Sequence, residues 1–284
     1  MSFHFTRSAT AVALALSVSL LSLPACKKKT KPTVPDSPVT PVTPTPGPVV
    51  TPPGPGTTNS LPPAPKGPFF RGPTPLGAGV RIAAEKNMQQ IAIALQNYES
   101  NNGALPAGYA DKTGKAGLSW RVAILPYLEQ DNLFKLFKLD EPWNSEHNKK
   151  LIDKMPKQFA PPSQSTYGYT FARAFTGPGT WLPPQAQPGT PGQALKGAKI
   201  VQFTDGTTTT FLVVEAGEAV IWTNPEEIPF DPKQPLPKLG GVFESGMVAG
   251  MADGSAKFVR KGADPKAIVG AIQINDGSIV NLDN

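Results

Sequence analysis

The sequence predicts an α+β domain, with N-terminal helices packed on an antiparallel β-sheet, preceded by a long segment that is not part of it. Three observations carry this. Apolar residues recur at helical spacing over residues 81–100. After Phe159 the composition switches to β-branched and aromatic runs separated by Asp-Gly pairs. Prolines, 34 in a chain of 284 residues, are concentrated ahead of residue 76. Helices first and strands afterwards argue against the alternation that builds a doubly wound parallel sheet.

Over 81–100, Ala84, Met88, Ile91, Leu95 and Tyr98 fall at steps of four and three and share one helical face. Asn101, Asn102 and Gly103 supply the stop, since Asn and Gly tolerate the left-handed cap. Residues 118–138 read as a second helical region, broken or kinked by Pro126. Asn144 or Ser145 is placed to cap a third helix over 145–155. Residues 166–171, 199–203, 209–215 and 219–222 have the composition of strands. Asp205-Gly206 and Asp253-Gly254 each predict a hairpin, the second between 246–252 and 255–259. The Pro/Gly-rich stretch 176–197 reads as a surface loop, and 265–272 as a last helix.

The segment ahead of the domain has three parts. Arg7 precedes an apolar run from residue 9 to 23, followed by Pro24, Ala25 and Cys26. A basic start, an apolar stretch and a small residue before the cleavage point make residues 1–25 a secretory signal. The run falls short of the ~20 residues that span a bilayer, which disfavours an uncleaved anchor. Leu23-Pro24-Ala25-Cys26 resembles the lipobox of bacterial lipoproteins, which implies diacylglyceryl attachment at Cys26 and acyl anchoring, although Pro24 is an unusual occupant of its position. Residues 26–75 then form a stalk. Sixteen prolines fall between 31 and 75, almost without residues large enough to build a core. Polyproline II at about 3.1 Å per residue would hold a domain as far as about 150 Å from its anchor. A ligand for proline-binding modules is the competing use of such a segment; a secreted context favours the spacer.

The net charge of +6 and the pI near 9.3 invite a nucleic-acid reading that the distribution removes. Residues 1–75 hold seven basic side chains and one acid, Asp36, leaving 20 of each sign for residues 76–284, the single predicted domain. Lys27, Lys28, Lys29 and Lys31 sit beside Cys26, where anionic headgroups attract each by about 1 kcal/mol. One Cys excludes an internal disulfide and a thiolate zinc cluster.

Several motifs follow one another in order: Asn87 to Tyr98 followed by Gly103 and Pro106; Leu118-Ser119-Trp120-Arg121 through Pro126-Tyr127 to Gln130; Leu139-Asp140-Glu141-Pro142-Trp143-Asn144 through His147; Asp205-Gly206; Val214-Glu215-Ala216 to Trp222; and Ala252-Asp253-Gly254-Ser255. Together they resemble the bacterial domain-of-unknown-function-1559 family. The resemblance spans most of 80–270 and implies a pilin-like or related α+β domain, sometimes labelled solute-binding-like. Many members begin with a prepilin site and a long hydrophobic helix. This chain has a lipobox and a proline spacer there, which speaks against assembly through a pilin stalk. Many also carry a His ten positions before the last Asp-Gly; Phe243 stands there instead.

Candidate chemistry is sparse. Signal cleavage would remove His4 and leave His147, so a Ser-His-Asp or Cys-His mechanism would have to use it. No Gly-x-Ser-x-Gly elbow accompanies it, and a structural place near a helix end fits it better. Asp140, Glu141, Asn144, Glu146 and His147 form an oxygen-rich cluster without the spacing of a calcium loop, and local capping accounts for them, so no metal is assigned. Glu215 and Glu218 show no sign of a glycosidase pair. Gly177-Pro178-Gly179 lacks the Lys-Ser/Thr of a phosphate loop. Of the four tryptophans, Trp120 and Trp143 lie in regular motifs and read as core anchors. Trp181, in the loop, is the candidate exposed contact, with Trp222 and His147 as further candidate ligand-binding residues.

The sequence therefore predicts a lipid-anchored, extracytoplasmic envelope protein, on the outer membrane in a diderm cell. It would display a non-enzymatic interaction or structural domain, without cofactor or nucleic acid, to an envelope protein or a glycan. A solute- or glycan-binding lipoprotein is the alternative, and an envelope hydrolase the third reading.

Overall fold

The computed structural model describes residues 61, 63–67, 75–162, 166–184, 188–278 and 280–282. Every described residue belongs to the unit Thr45–Asn284. The predicted signal, Cys26, the lysine cluster and most of the stalk lie outside the described residues.

The elements run α1 (Pro75–Asn102), β1 (Pro106–Ala110), β2 (Ala116–Leu118), α2 (Trp120–Ala123), α3 (Asp131–Phe134), β3 (Tyr169–Arg173), β4 (Phe175–Thr176), β5 (Ala194–Lys196), β6 (Phe211–Ile221), β7 (Ile228–Pro229), β8 (Gly246–Met251), β9 (Ala256–Arg260) and α4 (Pro265–Ile272). The principal sheet has the order β3-β6-β8-β9 and is antiparallel throughout. A smaller antiparallel sheet, β2-β1-β5, stands beside it, and β4 and β7 make a short parallel pair. The fold is α+β as expected. No helix among the described residues is long and apolar enough to cross a membrane.

Helix α1 starts earlier than its periodicity marks, but its packing face is the predicted one. Ala84, Met88, Ile91, Leu95 and Tyr98 are all buried. The helix ends at Gly103, whose φ of +75° is the left-handed cap a side chain would resist and whose N–H reaches the Glu99 carbonyl at 2.7 Å. It crosses the sheet over β8, where a Cβ on Gly250 would stand 3.2 Å from both Ala92 Cβ and Met88 Cγ. The missing side chain sets how closely helix and strand approach.

The other face of the sheet is covered too. Met247, Ala249 and Met251 of β8 point into a second cluster with Phe211, Val214 and residues Ala271 and Ile272 of α4, while Val248 points to the α1 side. This two-sided cover explains why β8 is buried at every position instead of alternating with polar residues. Asp264 caps α4 through the Lys266 N–H, and Pro265 occupies its first turn. The Asp253-Gly254 hairpin is present, with β8 and β9 in continuous register from Gly246↔Arg260 to Gly250↔Ala256.

Several expectations are corrected. Residues 199–203 are a 3-10 turn over Ile200–Gln202, not a strand, so Asp205-Gly206 closes no hairpin. Asp205 instead accepts from the N–H groups of Asp276 and Gly277, and Gly206 O accepts from the Thr209 and Thr210 hydroxyls. The runs 209–215 and 219–222 form one strand, β6, whose pairing with β3 jumps between Thr170↔Val220 and Ala172↔Glu215. The bulge absorbs the glycine-containing stretch that reads as a gap in sequence. Residues 118–138 break into α2, a 3-10 turn over Leu125–Leu128 and α3, because Pro126 opens the turn and Glu129 closes it at φ 61°. The third helix is a 3-10 segment, Asn148–Lys154, entered through the Ser145 hydroxyl, which accepts from the Asn148 N–H.

One buried ion pair ties these parts together. Arg121, fully buried, lies 2.9 Å from Glu227 Oε1 through Nη1 and donates to Oε2 through Nη2 at 3.2 Å. Its Nε donates to the Ala172 carbonyl, and Nη1 also reaches Ser119 Oγ at 2.6 Å. Glu227 Oε2 accepts from the Ala174 N–H at 2.7 Å. Removal of either partner strands a charge in the interior. Arg121→Ala should lower the unfolding free energy in urea by about 3–5 kcal/mol, and adding Glu227→Leu should recover part of that loss. Strictly additive losses in the double variant would show that the two groups do not act as a pair.

Candidate functional site

The residues singled out in sequence divide sharply in space. Trp181 is 1% exposed, not a surface contact. Its indole N–H donates to the Leu212 carbonyl at 2.8 Å, at the point where the register of β6 on β8 shifts between Phe211 and Val213. Its own carbonyl accepts from the Ala198 N–H. The Pro/Gly-rich loop is thus fastened to the core by its one large side chain. Trp222 is fully buried, stacked on Phe159 with ring centroids 5.9 Å apart, and donates to the Ile152 carbonyl. Trp120, as expected, is core, edge-on to both Trp181 and Phe159. Neither Trp181 nor Trp222 presents a face to solvent, because each indole N–H finds its acceptor deep in the interior.

His147 stands at the entry of the Asn148–Lys154 turn, half-buried, with Nε2 2.8 Å from the Leu136 carbonyl. A carbonyl only accepts, so this nitrogen carries the proton and donates. The acidic residues around it turn outward to lysines: Asp140 and Glu141 to Lys112, Glu141 also to Lys138, and Glu146 to Lys149. Hydrogen bonding from Ser145, with Lys138 beside it, holds the Glu141 carboxyl below its ordinary range. Among the described residues no three His, Cys, Asp or Glu side chains converge as a metal site. The organiser of this region is Asn148, which lies inside the span 145–155 that the sequence marks as a third helix. Its amide donates to the carbonyls of Lys138, Glu141 and Pro142 and accepts from the Lys138 N–H. Its place within a polar run gave no periodic signal.

Trp143 packs against the core as expected, but only in part. It is half-buried and lines a cleft of about 260 Å³ with Tyr169, Arg173, Glu218, Asn224 and Glu226. Its backbone is fixed by the bond from its N–H to the Gly117 carbonyl at 2.8 Å. Arg173 is 7% exposed; Nη2 is 3.7 Å from Glu226 Oε1, while Nε has no hydrogen-bond partner among the described residues. Asn224 and Glu226 hold each other through reciprocal bonds of 3.2 and 3.3 Å. Leu61, from the short described stretch ahead of the domain, completes the wall. Two aromatic faces beside planar polar groups of both signs suit an uncharged, many-hydroxyl ligand of about one ring.

Glu215 and Glu218 share β6 but no site. Glu218 edges the Trp143 cleft, whereas Glu215 is buried beside a void of about 20 Å³, the size of a single water. Burial pushes its carboxyl up from 4.5 to about 8, against the Val248 N–H that donates to it. Phe243, where a His was noted in relatives, is buried and edge-on to Phe258.

Fold and cleft together define an α+β domain with open polar and apolar clefts around a fully packed sheet. Residues 81–238, more than half of the chain, match the model of the family described as SBP_bac_10, protein of unknown function (DUF1559), and the protein belongs to that family. No curated protein and no solved structure matches it.

The buried carboxyl gives a pH signature. With Glu215 titrating near 8 folded and near 4.5 unfolded, the folded state keeps a proton between those values that the unfolded state releases. Stability therefore falls as pH rises through this window, by as much as about 1.4 kcal/mol per unit. Thermal unfolding of Glu215→Gln from pH 5 to 9 should lose that slope and exceed the parent at pH 8. A profile parallel to the parent's would place the source elsewhere.

Proposed function

We propose that this protein is a lipid-anchored cell-envelope protein that displays its α+β domain on a proline-rich stalk and works by binding rather than by catalysis. The order of signal, Cys26, four lysines and proline spacer supports the tether, and the neutral charge of residues 76–284 suits a domain held away from an anionic surface. A tether confines the domain to two dimensions and raises its effective concentration for any partner in the same envelope.

The observation that carries the binding reading is the cleft beside Trp143. It favours the solute- or glycan-binding form of this function. The aromatic pair offers apolar faces, and Arg173, Asn224 and Glu226 offer donors and acceptors at the edges of a ring. The tie between His147 and Leu136 gives the hydrolase reading no support, because it engages the imidazole in holding the turn together.

Two measurements test this separately. Processing in vivo should be blocked by globomycin, and Cys26→Ala should abolish the mass of the attached lipid; an unmodified Cys26 in mature protein would remove the tether. On a glycan and small-solute array, the parent should bind a neutral sugar and Trp143→Ala should lose at least about tenfold in affinity. Binding that survives this change but is lost in Tyr169→Ala and Arg173→Ala alike would move the contact within the cleft; no loss in any of the three would reject it.

A further inference from the structure

A positively charged opening lies away from that cleft. Between the 238–244 segment, the paired strands β8 and β9, and α4, a cavity of about 410 Å³ opens over the second core cluster. Its walls are apolar: Leu239, Phe243, Met247, Val259 and Ile268. Its rim is not. Lys238, Arg260 and Lys261 surround the opening, against one carboxylate, Glu244, and all four side chains are exposed. None of the three cations is ion-paired among the described residues.

The other openings differ in sign. The Trp143 cleft carries Arg173 against Glu218 and Glu226. A groove of about 590 Å³ beside Phe230 carries Glu227 and Asp231 and no cation. A neutral domain has thus gathered unpaired positive charge around one apolar hole.

The hole is preformed. Gly240 and Gly241 donate to the carbonyls of Glu215 and Ala216 at 2.9 and 2.8 Å, pinning one wall to β6. Lys261 N–H donates to the Ser245 carbonyl at 2.8 Å and closes the turn that presents the rim cations. Such a cavity binds without reorganising its walls. Every lining residue after Lys238 lies beyond the residues 81–238 that match the family model.

We propose that this cavity binds a free single-chain anionic amphiphile, an acyl chain ending in a carboxylate or a phosphate monoester. The chain displaces water from the Leu239, Met247, Val259 and Ile268 walls, and the head lies among Lys238, Arg260 and Lys261. Concavity favours one inserted chain over a flat membrane contact, and the charge excess favours an anionic head over a neutral one. The site depends neither on acylation of Cys26 nor on the Trp143 cleft.

The test uses the full chain carrying Cys26→Ser, so that no attached lipid competes, titrated calorimetrically below the critical micelle concentration of each probe. Dodecanoate and dodecyl phosphate should each bind at one site. Affinity should rise about fourfold per methylene from hexanoate until the cavity is filled. Dodecyl maltoside should bind more weakly, and inorganic phosphate not at all. Lys238→Glu with Arg260→Glu and Lys261→Glu should weaken dodecanoate about tenfold, the scale that three exposed charge contacts supply. Ile268→Trp, filling the cavity from a half-buried position, should weaken both probes without altering the circular dichroism. Equal affinity for maltoside and dodecanoate, indifference to the charge reversal in a folded variant, or binding to anionic vesicles but not to monomeric dodecanoate would each overturn the proposal. Capture of an acidic amphipathic peptide with no binding of dodecanoate would reassign the surface to a protein partner.

Discussion

The structure depends on the buried pair of Arg121 and Glu227. Desolvation pushes the Glu227 carboxyl up and the Arg121 guanidinium down, and their mutual attraction opposes both. The pair has further support: Arg121 reaches Ala172 O and Ser119 Oγ as well as Glu227, and its guanidinium carbon lies 4.8 Å over the Trp120 ring. The consequence is geometric. Short helix α2, strand β3 and the strand that follows it, and the turn leading to β7 are joined at one point that none of them could satisfy alone. Replacing such a pair by apolar residues of equal volume is often no loss to stability. What the charges add is direction, because a guanidinium accepts one arrangement of carbonyls and carboxylate where a methyl cluster accepts many.

That requirement explains the core around it. Trp120, Trp181, Phe159, Trp222 and Phe137 form a continuous chain of edge-on and stacked rings beside the pair. Two of the indoles send their N–H outward to a carbonyl of another segment, Leu212 and Ile152. The stretches 145–155 and 176–197 join the core at several points: Leu151, Ile152, Trp181 and Leu182 are buried, and β5 within the second pairs with β1. Asn148 in the first ties down backbone groups of Lys138, Glu141 and Pro142, and the Leu105–Gly197 and Trp181–Ala198 bonds serve the second. A domain with so many short turns stays ordered because a few large side chains reach inward from them.

The same logic sets what could be read from sequence. Helix α1, the β8–β9 hairpin and α4 were legible, since each is specified by its own residues: a period of 3.6, an Asp-Gly turn between paired runs, an Asp-Pro entry. The run 199–203 was not. Its β-branched residues suggest a strand, but a strand needs a partner, and the neighbouring edge is taken by β5 on β1. The tryptophans misled for a related reason. Trp181 sits among Pro and Gly, as surface loops do, yet is buried with its N–H on the Leu212 carbonyl, an acceptor supplied by tertiary packing that no local pattern encodes; Trp143 packs only partly on the core and also lines an open cleft. The split of charge between residues 1–75 and 76–284 was plain in the sequence. The three-cation rim was not, because Lys238 and the Arg260-Lys261 pair come together only when β9 and the 238–244 segment meet beside β8.

Covering both faces of one sheet leaves function to the margins. The α1 face is sealed by a long helix at close approach, and the opposite face by α4 together with the segments around Ile228 and Phe230. No cavity of ligand size penetrates between those layers among the described residues; the openings lie where segments without regular structure cross the edges of the sheet. These edge sites share the scaffold but not its constraints. A residue such as Trp143 or Lys238 can change without disturbing the Arg121–Glu227 join, whereas a change at Trp181 or Asn148 alters the frame itself. The two clefts, one mixed and aromatic, one apolar and cationic, lie outside the packed layers, so their exposed rim residues can change independently of each other and of the core.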